Sequence, residues 1–375
     1  MKQSLKFLAA AVALAGSAHA APFLAGENAE VFFTGTAGLR MDDNIFLGNN
    51  AQDDVIYNFD PGVEVIFGNK STLSGRGRVG GSFNRFTDHD DLDSELFSSS
   101  LNVAYDGGKT TGSFSASFAE MNQNTVDVLG FDSLIARNVF NTAGNVEVSV
   151  TEKTSVTAGF GYSNTDYRVA GFADQESVNI PLHFYYEVTP KVDLGLGYRY
   201  RESWLLFGRD SRDHFVSVST RGEFSPKLTG TFDVGVTHRD HSPGGTYSML
   251  GIDGSLSYAV TPKSSLQLTA SRNFDVNSQA QEQKNTSVGA FLTSNITPEF
   301  AVTVGTAFRA INYYMPAVNV PARTDDYYDS FIGASYTVNE YVRVGANFSY
   351  RKNDSEVVSS DFRARVLSLS VSLRY

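Results

Sequence analysis

Cysteine is absent from the 375 residues, and tryptophan occurs once. Without thiols the chain can form neither a disulfide framework nor a thiolate metal site. Beyond the N-terminal segment, no stretch reaches the about 18 consecutive apolar residues that a membrane-spanning helix requires, and helical periodicity is missing. The strings G-x-S-x-G and H-E-x-x-H do not occur, so neither a nucleophile-elbow hydrolase nor a zinc protease is indicated.

Positive charge is also scarce. Lys and Arg total 30 against 41 Asp and Glu, which gives a formal charge of −11. A protein that binds nucleic acid through the phosphate backbone needs clustered Lys and Arg, so a nucleic-acid partner is excluded.

The N-terminus has the pattern of a secretory signal peptide. Lys2 and Lys6 precede an apolar run over residues 7–16, and Ala18 and Ala20 occupy the small-residue positions before a cleavage site. A run this short cannot cross a bilayer as a helix. We therefore expect residues 1–20 to be a signal peptide and residues 21–375 to form a single domain.

Four tight turns recur at a fixed interval in the second half of the chain. Each contains a proline, and successive prolines lie 36 residues apart, at Pro190, Pro226, Pro262 and Pro298. The segments around them read YEVTPKVDLGLGY, GEFSPKLTGTFDV, YAVTPKSSLQLTA and SNITPEFAVTVGT. Two strands, one short connection and one longer connection would fill each interval.

Apolar and polar residues alternate with a period of two around these turns. After Pro190, the even positions 192–200 are apolar or aromatic and the odd positions 193–201 are polar, charged or glycine. A soluble β-sandwich also alternates, but its turns recur about every eight to twelve residues. Short turns alternating with longer polar loops are typical of an outer-membrane protein. We therefore expect an all-β, transmembrane, antiparallel up-and-down β-barrel with short periplasmic turns and longer extracellular loops.

The number of turns predicts the number of strands. Eight short turns separate nine hairpins with longer loops, which gives about 18 strands, from Glu30–Arg40 to Arg363–Tyr375. Bacterial barrels have an even strand number. Pro61 and Pro181 fall inside predicted strands and predict a β-bulge at each, because proline lacks the ladder donor.

The last predicted strand, VLSLSVSLRY, ends in an aromatic residue. Its predicted lipid-facing residues are Leu367, Leu369, Val371, Leu373 and Tyr375. This ending resembles the signal that the barrel assembly machinery reads. It predicts localisation in the outer membrane of a Gram-negative cell, with the assembly machinery as a partner through Tyr375.

The first hairpin carries a family resemblance. GLRMDDNIFLGNNAQDDVIYNFDPGVEVIF, residues 38–67, resembles the opening of the putative beta-barrel porin 2 family, and GYRYRES at 197–203 is similar to a later segment of it. The matching positions of the first hairpin are Asp43, Asn44, Ile45, Asp53, Asp54, Pro61 and Gly62. The resemblance implies a transport role and no catalytic residues, and some relatives are linked to exopolysaccharide export.

If the apolar face contacts lipid, the opposite face lines the lumen. The predicted pore-lining residues are Arg76, Arg78, Arg199, Arg201, Arg221, Arg239, Arg309, Arg343, Arg351, Glu187, Asp193 and Asp233. One interpretation is that the arginines attract anionic solutes, which the doublets 76/78 and 199/201 favour slightly. The alternative is that they pair with carboxylates across strands and stabilise the wall. The sequence leaves both open.

Acidic residues are concentrated in two predicted loops, over 42–54 and 88–93. Oxygen ligands suit Ca²⁺, but the spacing lacks the Gly and Glu of a calcium-binding loop. A solvated acidic loop is therefore the favoured interpretation, and we predict neither a metal site nor a cofactor.

The leading functional hypothesis is a porin-like outer-membrane channel for polar solutes, including anions, or for exported polysaccharide. The alternative is an adhesion or surface-structural barrel without transport, and an enzyme is less favoured. About nine residues separate the predicted cleavage site from the first strand, too few for a plug domain. The expected partners are outer-membrane lipid, lipopolysaccharide and the transported solute or polysaccharide.

Overall fold

The computed structural model describes residues 23–375 except 27, 70, 129–130, 207, 243 and 316–322. The predicted signal peptide, residues 1–20, lies outside the described residues. Two 3₁₀ turns occur among the described residues, Asp90–Leu92 and Val358–Ser360. In chain order the strands are β1 (Leu24–Ala25), β2 (Ala29–Asp42), β3 (Asp54–Phe67), β4 (Leu73–Phe86), β5 (Ser94–Asp106), β6 (Thr110–Asn122), β7 (Ala136–Ser149), β8 (Thr154–Tyr167), β9 (Gln175–Thr189), β10 (Val192–Leu205), β11 (Asp210–Ser225), β12 (Leu228–Ser242), β13 (Thr246–Thr261), β14 (Ser264–Val276), β15 (Glu282–Asn295), β16 (Phe300–Met315), β17 (Thr324–Thr337), β18 (Val342–Ser355) and β19 (Phe362–Arg374).

Strands β2 to β19 form one closed antiparallel sheet. Each strand pairs with the next along the chain, and β19 pairs back with β2, with Leu369 opposite Leu39. The short β1 adds two pairs to β2. The part of the chain that the structure describes is thus an 18-stranded barrel, and this prediction is confirmed. Closure leaves no sheet edge with unpaired backbone groups, as a bilayer requires.

The repeated turns owe their shape to a hydroxyl–proline–lysine sequence. Only two residues, proline and lysine, separate β9 from β10, β11 from β12 and β13 from β14. In each, the hydroxyl before the proline accepts a hydrogen bond from the lysine amide: Lys191 N to Thr189 Oγ1 at 3.4 Å, Lys227 N to Ser225 Oγ at 3.4 Å, and Lys263 N to Thr261 Oγ1 at 3.2 Å. Proline presets its own φ where no donor is needed. The eight short turns predicted from the sequence lie at one end of the barrel.

The outward face of the barrel is apolar and exposed. Across β11, β12 and β13, the neighbours Val216, Val236 and Leu250 leave 61%, 56% and 48% of their surface uncovered. A soluble sandwich would bury such residues between its two sheets. Here a single closed sheet exposes them as a continuous band, which matches the hydrocarbon interior of a membrane. Within the described residues, no helix is long and apolar enough to cross a membrane.

The prolines inside strands interrupt the ladder without shifting it. Two residue pairs are missing beside Pro61 in the β3–β4 ladder and beside Pro181 in the β8–β9 ladder, and the register is the same on both sides of each gap. The predicted β-bulges are therefore wrong. A Cβ on Gly159 would lie 2.8 Å from Pro181 Cγ, so a glycine neighbour provides the room that the proline ring needs.

Adjacent residues of β19 test the assignment of the two faces. Leu369 is 44% exposed on the apolar band, whereas Ser370 borders the interior cavity between Gly38 and Gly345 of the neighbouring strands. Leu369→Arg should lower the free energy of unfolding by about 2–4 kcal/mol, because a charge would face hydrocarbon. Ser370→Arg should cost less than about 1 kcal/mol, because its charge stays in water. Urea unfolding of the barrel in lipid vesicles measures both, and equal losses would contradict the assignment.

Candidate pore and its charged lining

All twelve predicted pore-lining residues lie on the inward face of the barrel. Cross-strand pairs bring opposite charges together on this face: Asp193 lies opposite Arg221, Arg201 opposite Asp213, and Arg351 opposite Asp329. A place on the inward face does not distinguish a residue that meets solute from one that stabilises the wall. The contacts of each side chain make that distinction.

A cavity of about 1780 Å³ occupies one side of the barrel interior. It extends from the short turns, at Asn69 and Asn339, to Asn124 and Val126 in the long loop between β6 and β7. Its wall is formed by β2–β7 and β15–β19. This volume exceeds that of a pocket for one drug-sized ligand, so it has room for a hydrated solute.

Eight arginines and seven carboxylates border this cavity in the described part of the chain. They are Arg40, Arg76, Arg78, Arg137, Arg309, Arg343, Arg351 and Arg374, with Glu30, Asp42, Asp60, Glu64, Glu120, Asp329 and Glu340. Five of the predicted residues are among them: Arg76, Arg78, Arg309, Arg343 and Arg351. The other seven lie on β9–β12. The arginine doublets 76/78 and 199/201 therefore do not border the same cavity.

The arginines of the cavity differ in how fully they are paired. Glu64 is shared by Arg76, at 3.1 Å, and Arg374, at 2.8 Å. In contrast, Arg78 and Arg351 have no carboxylate within 4.0 Å among the described residues. A guanidinium without a partner on an open, water-filled wall is available to a mobile anion.

On the opposite side, Arg221 is held by two carboxylates. Its Nε donates to Asp193 Oδ2 at 2.9 Å, and its Nη1 donates to Glu147 Oε2 at 2.8 Å. The guanidinium carbon also lies 3.9 Å from the centre of the Tyr185 ring. These contacts connect β7, β10 and β11 across the interior, which is the wall-stabilising interpretation.

Three further predicted residues lie close to these. Arg199 Nη1 is 3.1 Å from Asp253 Oδ2, and its guanidinium carbon is 4.8 Å from the Phe215 ring centre. Asp233 Oδ1 lies 3.8 Å from His183 Nε2. Glu187 is half-buried opposite Asp193. Each arginine here is thus matched by a carboxylate that the wall itself supplies.

Arg201 and Arg239 belong to a buried cluster near the long-loop end of the barrel. Both donate to the carboxylate of Asp213, and Arg239 Nη1 also lies 2.7 Å from Glu282 Oε2. The side chains of Arg239, Asp213 and Glu282 are only 1%, 6% and 5% exposed. Buried charges of this kind are tolerated only when they are paired and hydrogen-bonded.

This cluster replaces missing backbone pairing. The β13–β14 ladder stops at Ile252 and Arg272, although both strands continue beyond it. Above that point, Arg201 Nη2 donates to the carbonyl of Phe274, and Arg239 Nη1 lies 3.4 Å from the carbonyl of Asp275. The guanidinium groups therefore donate hydrogen bonds to β14 carbonyls beyond the point where the backbone of β13 stops pairing with β14.

The upper ends of β14, β15 and β16 turn into the barrel. Lower down, their even-numbered residues face outward, as exposed Leu268 and Val288 show. At the upper end, Tyr314 on the same face packs 4.9 Å from the ring centre of Tyr247 on β13, and its hydroxyl lies 3.2 Å from His241 Nε2 on β12. Since His241 and Tyr247 are on the inward face, the wall overlaps itself here. The overlap narrows the opening of the barrel at the long-loop end, here called the mouth.

The long loop between β6 and β7, residues 123–135 and here called loop L3, also folds inward. Asn124 Nδ2 donates to the carbonyls of Phe46 and Ser133 at 2.8 and 2.9 Å. Val126 is buried in a cluster with Leu47, Ile311, Tyr313, Phe362 and Ala364. Asp127 lies 3.4 Å from Arg309, and its carbonyl accepts from Ser278 Oγ at 2.7 Å. Loop L3 thus reaches across the mouth.

The two acidic loop segments contact each other through Asp54. Asp54, buried at the start of β3, accepts hydrogen bonds from the amides of Thr87 and His89 and lies 2.8 Å from His89 Nδ1. No group of three or more His, Cys, Asp or Glu within the described residues is arranged to hold a metal ion.

A closed barrel with an exposed apolar band and a charged, hollow interior defines a porin-like channel of the outer membrane. The chain belongs to the family described as "Putative beta-barrel porin 2", whose model matches residues 34–375. The resemblance inferred from the first hairpin is thereby confirmed.

Three solved structures are similar to this chain at low identity. OccK2 (OpdF) of Pseudomonas aeruginosa, in complex with glucuronate, is 10% identical with a TM-score of 0.50, over 93% of this chain and 98% of that one. OpdK of the same species gives 11% and 0.48, over 93% and 99%, and OccAB4 of Acinetobacter baumannii gives 10% and 0.48, over 93% and 99%. No curated protein sequence matches.

Several charged residues of the interior were not among the twelve predicted. Arg374 alternates with Ser370 and Ser372 on the inward face, so the pattern of β19 was sufficient to find it. Asp213 could have been found in the same way from β11. Asp127 could not, because it lies in a loop, where no periodicity shows the direction of a side chain.

Arg239 tests whether the buried cluster holds the wall together. Arg239→Met should lower the free energy of unfolding by about 3–5 kcal/mol, because it leaves buried carboxylates without a full set of partners. The control is Arg212→Met, since Arg212 is 60% exposed beside Glu202 and its loss should cost about 0–1 kcal/mol. Unfolding followed by Trp204 fluorescence gives both values. A loss below about 1 kcal/mol for Arg239→Met would assign the cluster no structural role.

Proposed function

We propose that this outer-membrane channel is passive and has a modest preference for small anionic solutes. The observation that carries the proposal is the open cavity with Arg78 and Arg351 on its wall, neither of which has a carboxylate partner among the described residues. Eight arginines against seven carboxylates on that wall give only a small positive excess. The preference should be correspondingly weak.

The negative charge of the whole chain does not oppose this proposal. Acids such as Asp88, Asp90 and Asp91 are exposed in the loop between β4 and β5, and at moderate salt their field is screened beyond about 8–10 Å. A solute inside a narrow passage with low-dielectric walls responds to the charges that line it. Of the predicted residues, those on β9–β12 contribute little, because carboxylates neutralise their arginines nearby.

The zero-current potential across a planar bilayer under a salt gradient tests the preference. The wild type should favour chloride over potassium, and Arg78→Ser/Arg351→Ser should shift the potential toward the value of an unselective pore. Arg85→Ser/Arg365→Ser is the matched control, because both side chains are exposed on the outward face and should leave the potential unchanged. Cation preference in the wild type would contradict the proposal, and so would an unshifted double variant. The same measurement with glucuronate in place of chloride tests a first organic anion.

The packing of the mouth favours small solutes over a polymer. Loop L3 and the inward ends of β14–β16 occupy the region through which a polysaccharide would have to leave. Exclusion of polyethylene glycols of increasing size from the conducting pore measures the largest solute that can enter it. Passage of polymers would support polysaccharide export, and a barrel without any conductance would support the adhesion or surface-structural alternative. Membership of the porin family points to a channel rather than an enzyme, and we infer no catalytic activity.

We also propose that the assembly machinery recognises the ring of Tyr375. Its amide donates to Phe33 O at 2.8 Å and its backbone oxygen accepts from Phe33 N at 2.6 Å, so this residue extends the β19–β2 pairing that closes the barrel. The ring is 51% exposed. Tyr375→Ala keeps both backbone bonds and should reduce insertion in cells several-fold, while refolding of the purified chain in detergent is retained. Tyr375→Phe is the control, and equal insertion of the alanine variant would exclude the ring as a signal.

Export to the outer membrane also requires removal of the predicted signal peptide. We propose cleavage after Ala20, on the basis of the alanines at positions 18 and 20. The first residues of the protein purified from the outer membrane should then be Ala21, Pro22 and Phe23. A mature protein that still begins at Met1 would refute the assignment.

A further inference from the structure

A group of three cations lies on the outward face of β18 and β19, near the long-loop end. Lys352, Arg363 and Arg365, here called the rim patch, alternate along their strands with the inward residues Arg351 and Ala364. Lys352 lies directly opposite Arg363 in the ladder, and Arg365 lies opposite Tyr350. The rim patch therefore faces the membrane side of the wall rather than the lumen.

The rim patch sits just above the apolar band. Phe348 and Leu367 lie opposite each other and are 42% and 38% exposed, as lipid-facing residues are. Arg365 is the next outward residue after Leu367, and two residues of a strand span about 6–7 Å. Since the long loops are extracellular, this height corresponds to the headgroups of the outer leaflet.

The charges of the rim patch are only partly balanced. Lys352 Nζ lies 2.6 Å from Asp354 Oδ2, and Arg365 Nη1 lies 3.7 Å from Asp43 Oδ2. The exposed Arg363 has no carboxylate within 4.0 Å in the described part of the chain. Like charges directly opposite each other destabilise a sheet. Arg363 is therefore the cation of the rim patch that is available to an external anion.

Two other outward cations at this end, Arg85 and Arg212, have carboxylate partners within the protein. Arg85 lies 2.7 Å from Glu95 and 3.5 Å from Asp93, and Arg212 lies 2.9 Å from Glu202. An outward cation without a carboxylate partner is thus not a feature of every strand end. This contrast also supplies matched control residues.

We propose that the rim patch binds the phosphate groups of an outer-leaflet glycolipid, the phosphorylated lipid A part of lipopolysaccharide. A membrane-facing site at headgroup height meets lipid phosphates, and Lys and Arg bind phosphate through charge-assisted hydrogen bonds. Tyr328, 40% exposed and opposite Lys352, completes the site with an aromatic ring of the kind found at membrane interfaces. The site is independent of the pore, because its side chains point away from the lumen.

Native mass spectrometry of the detergent-solubilised barrel with bisphosphorylated lipid A tests this site. Lys352→Ala/Arg363→Ala/Arg365→Ala should weaken binding about tenfold or more, as expected for the loss of hydrogen bonds between charged groups. The control Arg85→Ala/Arg212→Ala should bind as the wild type does. Lipid A without phosphates should bind the wild type as weakly as bisphosphorylated lipid A binds the triple variant.

Two outcomes would overturn the proposal. One is equal binding of bisphosphorylated lipid A by the wild type and the triple variant. The other is displacement of lipid A by inorganic phosphate at equal concentration, which would indicate a general anion site. If the triple variant fails to fold, Arg363→Ala alone should still weaken binding several-fold, since Arg363 has no carboxylate to lose. The zero-current potential should be unchanged in all of these variants, so failure of this proposal and failure of the proposed channel function are distinguishable.

Discussion

The requirement that every backbone group in the membrane be hydrogen-bonded within the protein governs this structure. It explains the closed sheet, because an open edge would leave donors and acceptors facing hydrocarbon. It also explains the buried cluster around Asp213. Where β13 and β14 stop pairing, carbonyls of β14 need donors, and Arg201 and Arg239 supply them. The carboxylates of Asp213 and Glu282 then neutralise those arginines.

The inward arginines fall into two groups. On β10–β12 they bridge strands and fill one side of the interior, and their charges are neutralised by nearby carboxylates. Around the cavity they are more numerous but less completely paired, so their field acts on whatever occupies the lumen. A count of inward arginines therefore overstates how many contribute to selectivity. Loop L3 and the overlapping strand ends restrict the same cavity at its extracellular end.

Local patterns were sufficient for the fold. Alternation with period two identified the strands and their two faces, and the proline turns gave the spacing from which 18 strands were counted. The β-bulges expected at Pro61 and Pro181 were wrong, because the room for a proline ring depends on its cross-strand neighbour. At Pro181 that neighbour is Gly159, a residue 22 positions away whose proximity no local pattern reveals.

The sequence by itself determined the architecture and the inward or outward direction of most strand residues, since both follow from periodicity along the chain; the upper ends of β14–β16, which turn into the barrel, are the exception. Only the tertiary structure decided which inward arginines have partners, because Arg221 and Glu147 lie 74 positions apart and meet across the interior. It also decided the path of loop L3, whose direction depends on contacts with Phe46, Ser278 and Arg309. Periodicity fixes the direction of a side chain, whereas pairing depends on where the closed sheet brings distant strands together.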